Sequence, residues 1–315
     1  MKHVFIVDPK AFREQQWKME NLLDIIGQYF RTQERPDFTI VFSHYPRDAI
    51  RLIQKQVDEA EPFETVRVYA IGGDDLLFDC LNGIAGLPSM ELAIAPYGVT
   101  NSFIRAFGEK KTDQFKDMVT LMTADTIPTD MIQVGNMYAI NGCSVGLTPA
   151  VVIKRRNFIT RLSGGISQYI VGIWSFFNRL TSLFNKEIIT HNYTITIDGE
   201  DYSGNYSQIN IVNAPYYDRQ NALAGALPDD GMLDVMLFKS AGPLPTSISI
   251  NRYLRGRKLP SNCLRVQARK IEVKSDKPIY IQTDTEFLVD TGITFEVVPS
   301  AVQVVAVNNL AYQGF

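Results

Sequence analysis

Strand and helix signals alternate along the first 130 residues, and this alternation restricts the fold more than any other feature of the sequence. Apolar runs typical of buried β-strands occupy residues 4–7, 38–42, 66–71 and 92–95. Helical patterns of apolar side chains lie between them, over residues 12–30, 46–60 and 76–84. Because strands separated by single helices pair in parallel, we predict an N-terminal doubly wound parallel-sheet α/β domain with helices on both faces.

From about residue 131 the pattern changes to short strands separated by turn dipeptides such as Asp198-Gly199 and Ser275-Asp276. This pattern predicts an all-β second domain, an antiparallel β-sandwich-like or barrel-like one. A chain of 315 residues is also longer than one ordinary core needs. We expect the apolar residues 301–307 to return to the first domain as a closing strand. The predicted domains are therefore residues 1–130 plus 300–315, and residues 131–299.

A helical insert, residues 151–187, interrupts the β-rich region. Between Val151 and Asn185 it contains basic and aromatic residues and no acidic residue. Such an amphipathic segment can pack on the β domain as a helix pair, or it can lie on an anionic membrane surface. The sequence leaves both interpretations open.

The composition argues against several classes of protein. With 31 basic and 34 acidic residues the net charge is −3, which is not that of a dedicated nucleic-acid binder. No apolar run approaches the roughly 18 residues of a membrane span. Cys80, Cys143 and Cys263 are far apart and form neither a disulfide framework nor a zinc pattern. We therefore expect a cytoplasmic protein, peripheral to the membrane if the insert contacts lipid.

The motif Gly72-Gly73-Asp74-Asp75 follows the third predicted strand and precedes a helix. Adjacent glycines let a ligand approach the backbone, and the N-terminus of a helix attracts anions. A loop of this kind can therefore bind a phosphate group. The alternative is a plain strand-to-helix turn, and the motif alone does not decide between the two.

Further motifs follow along the chain, together with Asn213 after a predicted strand. They are Pro96-Tyr97-Gly98-Val99-Thr100-Asn101-Ser102-Phe103, Asn141-Gly142-Cys143-Ser144-Val145-Gly146, Pro228-Asp229-Asp230-Gly231-Met232-Leu233-Asp234 and Asp284-Thr285-Glu286. In this order, and with the Gly-Gly-Asp motif before them, they resemble the signature motifs of the diacylglycerol kinase and sphingosine kinase superfamily, in particular its soluble bacterial lipid kinases. The resemblance covers nearly the whole chain.

This resemblance implies transfer of the γ-phosphate of ATP to a lipid hydroxyl, with Mg²⁺. It assigns nucleotide contacts to eight residues: Asp8, Gly72, Gly73, Asp74, Asp75, Gly98, Thr100 and Asn101. It also implies that Asp74 holds Mg²⁺, directly or through water. Asp284 would accept the proton of the substrate hydroxyl, with Glu286 orienting it or assisting with charge. A second, structural Mg²⁺ site would use Asp229, Asp230 and Met232.

Two of these assignments have structural alternatives. Residues 229–231 can be a plain turn before the next strand, and Asp284 can be an exposed loop carboxylate. The tripeptide Asp198-Gly199-Glu200 matches the family's Asp-Gly-Glu literally, but Asp-Gly between two strands is typical of a hairpin turn. We therefore predict a turn at Asp198 and keep Asp284 as the candidate base.

The phosphate loop departs from the family pattern. Asp75 and Leu76 stand where the family has Gly and Thr, and Ser102 replaces an Asp. An added carboxylate repels a triphosphate. Three functions follow: an active lipid kinase, a catalytically degenerate relative that binds nucleotide or lipid as a sensor or partner module, and a kinase for another substrate such as NAD or a polyol. The expected partners are a lipid, a membrane surface and a second copy in a homodimer, and not nucleic acid.

Overall fold

The computed structural model describes most of the chain. It covers residues 1–34, 36–61, 63–150, 152–153, 191–217, 220–221, 225–241, 245, 249 and 260–313. Apart from residues 152–153, the predicted helical insert at residues 151–187 lies outside the described residues, so both interpretations of it stay open. Among the helices that are described, none is long and apolar enough to cross a bilayer.

The first part of the chain alternates β-strands and α-helices. Its elements are β1 (Lys2–Val7), α1 (Gln16–Arg31), β2 (Phe38–Phe42), α2 (Asp48–Asp58), β3 (Val66–Gly72), α3 (Asp74–Ile84), β4 (Met90–Pro96) and α4 (Met118–Thr123). As predicted, β1 pairs in parallel with β2 and β3, and β3 pairs in parallel with β4. Helix α2 packs on α3, and α1 packs on α4. The carboxyl ends of these strands therefore lie at one edge of the sheet, where ligands of such folds bind.

The second part consists mainly of β-strands. They are β5 (Thr126–Val134), β6 (Met137–Ala139), β7 (Gly142–Gly146), β8 (His191–Ile197), β9 (Glu200–Asp201), β10 (Gly204–Val212), β11 (Tyr216–Tyr217), β12 (Gln220–Asn221), β13 (Leu233–Lys239), β14 (Cys263–Ala268), β15 (Lys270–Thr283) and β16 (Glu286–Val305). The predicted turn at Ser275-Asp276 is wrong, because β15 pairs with β16 on both sides of a register shift there. The predicted turn at Asp198-Gly199 joins β8 to β9.

One sheet joins the two parts. Strand β16 is 20 residues long and pairs antiparallel with β5 and β15. Near its end, Gln303 and Val304 pair in parallel with β4, so the predicted closing strand is the last part of β16. The register of β16 against β5 shifts between Val298 and Val302. Such an irregularity bends a strand pair, and it falls at the predicted domain boundary. The division into two domains itself stays a prediction.

Apolar side chains form two buried clusters on this sheet. One cluster lies in the α/β part and includes Phe5 and Tyr69. The other lies among the later strands and includes Ile209, Val235 and Ile271. Around the second cluster β8 pairs with both β10 and β15, and β7 also pairs with both of these strands. These four strands therefore close into a ring, which gives the second part a barrel-like core.

Candidate active site

The glycine loop after β3 and the loop after β4 are in direct contact. The N–H of Gly98 donates to the carbonyl of Gly72 at 2.8 Å, and the N–H of Asp74 donates to the carbonyl of Thr100 at 3.0 Å. A Cβ atom on Gly98 would overlap the backbone of Gly73. Loop–loop packing therefore requires glycine here, a role that the sequence alone does not reveal.

The other predicted nucleotide contacts gather around these two loops. Asp8 lies beside Gly72, because a Cβ atom built on Gly72 would be 3.2 Å from the Cβ atom of Asp8. Its carboxylate accepts a backbone N–H two residues further along the chain at 2.9 Å. The side-chain amide of Asn101 donates to the carbonyl of Gly98 at 2.8 Å, and Asp75 is exposed. The eight residues assigned to the nucleotide thus lie together at the carboxyl edge of the parallel strands.

Asp74 is the first residue of α3, and Ser102 holds its carboxylate. The two carboxylate oxygens accept hydrogen bonds from the backbone N–H and the hydroxyl of Ser102, both at 2.8 Å. Burial raises the pKa of the Asp74 carboxyl, the hydrogen bonds from Ser102 oppose this shift, and the charge of Asp75 adds to it. Asp74 is therefore a fixed carboxylate at the start of a helix.

Asp284 lies in the turn between β15 and β16, with a left-handed backbone (φ 46°). Its carboxylate accepts hydrogen bonds from the N–H groups of Ile140 (2.8 Å), Asn141 (3.1 Å) and Gly142 (2.9 Å). The residue is 8% exposed, which excludes the exposed-loop interpretation. Burial raises the pKa of this carboxyl to about 6, the three N–H groups oppose the shift, and the charge of Asp74 adds to it. The structure thus brings Asp284 and Asp74 close enough to interact.

Arg47 links Asp79 of α3 with Glu286 of β16. The backbone N–H of Arg47 donates to Oδ2 of Asp79 at 2.7 Å. The guanidinium lies 3.7 Å from Oδ1 of Asp79 and 3.4 Å from Oε1 of Glu286. Glu286, the predicted partner of Asp284 in the proton transfer, is therefore paired with Arg47. Nothing in the sequence distinguishes Arg47, because its partners lie far away along the chain.

Several carboxylates of this region repel one another electrostatically. The interacting pairs are Asp74 with Asp75 and with Asp284, and Asp79 with Asp75 and with Glu286. Burial raises the pKa of Asp79, and the charges of Glu286 and Asp75 add to that shift while Arg47 opposes it. A triphosphate is repelled by such a site unless a cation accompanies it.

Two cavities, each of about 390 Å³, flank the loop at residues 96–98. The lining of the first includes Gly98, Thr100, Asn101, Arg105 and Lys116. The lining of the second includes Phe12, Trp17, Tyr97 and Lys116. Both volumes are in the range of sites for small ligands. Because three predicted nucleotide contacts line the first cavity, it is the better candidate for nucleotide binding.

The residues predicted to form a structural magnesium site lie in a turn before β13. Oδ1 of Asp230 accepts the N–H of Met232 at 2.9 Å, and Oδ2 of Asp130 accepts the N–H of Gly231 at 2.6 Å. Burial raises the pKa of both Asp229 and Asp230. In the part of the chain that the structure describes, no group of three or more His, Cys, Asp or Glu side chains could hold a metal ion. These contacts form a turn, and the structural magnesium site stays a prediction.

Two family models match the chain. The diacylglycerol kinase catalytic domain matches residues 2–134, and the YegS C-terminal NAD kinase beta sandwich-like domain matches residues 179–306. Two Staphylococcus aureus proteins, from strains Mu3 and Newman, both bear the name "Putative lipid kinase". Each is 25% identical to this chain over 248 residues, which cover 77% of this chain and 78% of the relative.

Solved structures share the fold. A crystal structure of a "putative diacylglycerol kinase" from Bacillus anthracis str. Sterne is 22% identical, with a TM-score of 0.72. A second crystal structure, of a diacylglycerol kinase from the same strain, is 19% identical, with a TM-score of 0.68. Each comparison covers 98% of both chains. With the two domain models in the same order along the sequence, this chain belongs to the superfamily of diacylglycerol kinases and YegS-type lipid kinases.

Proposed function

We propose that this chain is an ATP-dependent lipid kinase, which transfers the γ-phosphate of ATP to a hydroxyl group of diacylglycerol or a related lipid. The observation that carries the proposal is the buried carboxyl of Asp284, which interacts with Asp74. Its pKa is raised to about 6. The names of the relatives support a lipid as the acceptor. The cavity lined by Thr100 and Asn101 supports a nucleotide as the donor.

Asp284 is suited to act as the general base. It would accept the proton of the lipid hydroxyl while the hydroxyl oxygen bonds to the γ-phosphorus and ADP leaves. A base whose pKa lies near the working pH is the most effective one. A carboxylate has about four acceptor positions, so the three backbone donors fix Asp284 and leave one position for the substrate.

Asp74 fits a magnesium ion that accompanies ATP. Carboxylate oxygens are ligands that Mg²⁺ prefers, and the ion commonly uses one or two of them together with phosphate oxygens and water. The mutual repulsion of the carboxylates near Asp74 favours a cation–nucleotide complex over the free nucleotide. When bound, the ion would neutralise charge on the transferring phosphate. Asp284 acts on the acceptor side of that phosphate.

An ATP titration with and without Mg²⁺ tests the proposal. We expect calorimetry to show ATP binding with Mg²⁺ and binding about tenfold weaker or more with EDTA, because the uncompensated carboxylates repel the triphosphate. If ATP binds in neither condition, the kinase proposal loses its basis. A degenerate sensor would pass this test, so a transfer assay must separate the two.

The rate of transfer is expected to fall at acidic pH, because Asp284 must be ionised to accept a proton. With a pKa of about 6, kcat/KM for the lipid should fall about tenfold per pH unit well below pH 6 and level off above about pH 7. Acid unfolding caused by protonation of Asp284 does not explain this fall in kcat/KM. The folded chain binds this proton more tightly than a carboxyl of pKa 3.8 does in the unfolded chain, so the group stabilises the fold as the pH falls from about 7 to about 4.

Rates measured from about pH 5 to about pH 8, with thermal melts in the same buffers, check this pH dependence. A rate that stays constant down to about pH 5 would show that Asp284 is not the base.

Asp75→Asn is expected to tighten ATP binding, because it removes an exposed carboxylate beside the phosphates. The gain should be about fivefold at low salt, which corresponds to about 1 kcal/mol, and smaller at physiological salt. Asp58→Asn is a matched control, since Asp58 is an exposed residue at the other end of the α/β part and should leave affinity unchanged. Weaker ATP binding by Asp75→Asn would mean that Asp75 holds a cation instead.

A further inference from the structure

Arg47 has a backbone conformation that favours glycine. Its φ of 69° and ψ of 1° are left-handed, and it precedes the first residue of α2 without a side-chain cap. A residue with a Cβ rarely adopts this conformation, and glycine adopts it without steric cost. The chain therefore keeps an unfavourable residue here, and the contacts of the side chain offer a reason.

The Arg47 side chain contacts both parts of the molecule. Its guanidinium lies 4.9 Å from the centre of the Phe78 ring and 3.7 Å from Asp79, both in α3. In the β-rich part it lies 3.9 Å from the sulfur of Met137 and 3.4 Å from Glu286. One guanidinium thus joins helix α3 to β6 and to the first residue of β16.

Three of these partners belong to the helix that begins at Asp74 and to the strand that follows the Asp284 turn. Helix α3 begins at Asp74, and Glu286 pairs with Thr283 across the turn that contains Asp284. A second connection joins α3 to β6, where Asn82 exchanges two hydrogen bonds of 2.9 Å with the backbone of Tyr138. Loss of Arg47 therefore leaves α3 attached to β6 and leaves the Asp284 turn attached to β7, but it removes the contact between α3 and Glu286 at the end of that turn.

We infer that Arg47 is a positioning residue, which fixes the Asp284 turn against the helix that begins at Asp74. The inference rests on the proposed function, because it assigns Arg47 a part in the same transfer reaction. The guanidinium acts through Glu286 and Asp79 and does not itself touch the reacting atoms.

Arg47→Gly separates this role from a merely structural one. Glycine relieves the backbone while the ion pairs of the guanidinium are lost, so the melting temperature should change little, as it should for the matched control Ser89→Gly at an exposed left-handed residue (φ 59°). In Arg47→Gly alone, kcat should fall about tenfold while KM for ATP changes by less than about twofold. Arg47→Lys, which keeps the charge, should restore part of kcat.

Two further measurements do not depend on the size of one rate. Hydrogen exchange at the amides of Ile140, Asn141 and Gly142, which donate to Asp284, should accelerate in Arg47→Gly and not in Ser89→Gly. In a double-mutant cycle on kcat, Glu286→Gln should lower the kcat of Arg47→Gly only slightly further.

Unchanged exchange at these amides, a wild-type kcat in Arg47→Gly, or full additivity with Glu286→Gln would overturn the inference. If the wild-type protein transfers no phosphate, the proposed function fails, and the exchange experiment still decides whether Arg47 fixes the turn.

Discussion

Replacement of Asp284 by asparagine is expected to lower kcat for phosphoryl transfer by about 10²- to 10⁴-fold, which is the contribution of a general base. Asparagine keeps the size of the side chain and one acceptor oxygen, so part of the hydrogen bonding to Ile140, Asn141 and Gly142 remains. The affinity for ATP should change little, because Asp284 acts on the acceptor. Single-turnover rates and an ATP titration on the same preparation measure both quantities.

Asp198 provides a matched control for this variant. It has nearly the same left-handed backbone (φ 47°), and its carboxylate also accepts backbone N–H groups, from Arg269 and Lys270. It differs in lying in the exposed hairpin between β8 and β9. Asp198→Asn should therefore lower stability and leave kcat unchanged. Equal losses of activity in the two variants would show that Asp284 has only a structural role.

Replacement of Asp74 by asparagine is expected to lower kcat/KM for MgATP by about 10²- to 10³-fold, the usual effect of removing a charged group that stabilises the transition state. The substitution removes the carboxylate that fits Mg²⁺, so higher Mg²⁺ concentrations should be needed for half-maximal rate. It also removes a charge that raises the pKa of Asp284, so the fall in rate at acidic pH should move to lower pH. Kinetics over a range of Mg²⁺ concentration and pH check both shifts.

Ser102→Ala is the control for Asp74→Asn. It removes the hydroxyl that donates to Asp74 at 2.8 Å but keeps the carboxylate and the backbone donor of Ser102. Its effect on MgATP should therefore be much smaller. If Asp74→Asn binds and uses MgATP as the wild-type protein does, the ion is held elsewhere.

Local pattern predicted the α/β part well, because apolar periodicity and the short connections there reflect buried strands and packed helices. It failed where long-range pairing decides the structure. Strand β15 runs through a turn dipeptide because β16 pairs with it on both sides. Strand β5 is missing from the predicted strands, because Pro128, Thr129 and Asp130 interrupt its apolar pattern.

The site shows the same division between local and distant information. The loops at Gly72 and Gly98 were identified as a pair of motifs, but only the structure shows that they pack on each other. Asp284 was assigned from the resemblance, whereas its burial and its three backbone donors depend on β6 and β7 lying against the turn. Arg47 has no local signal at all, because its role depends on Asp79 and Glu286 from distant parts of the chain.

The central claim is tested most directly by incubating the wild-type protein with ATP labelled on the γ-phosphate, Mg²⁺ and vesicles that contain diacylglycerol or, in a parallel assay, a sphingoid base. We expect labelled, phosphorylated diacylglycerol to form, and its formation to be lost in Asp284→Asn but not in Asp198→Asn. If the protein binds MgATP and labels neither diacylglycerol nor a sphingoid base, it is a nucleotide-binding relative without lipid kinase activity.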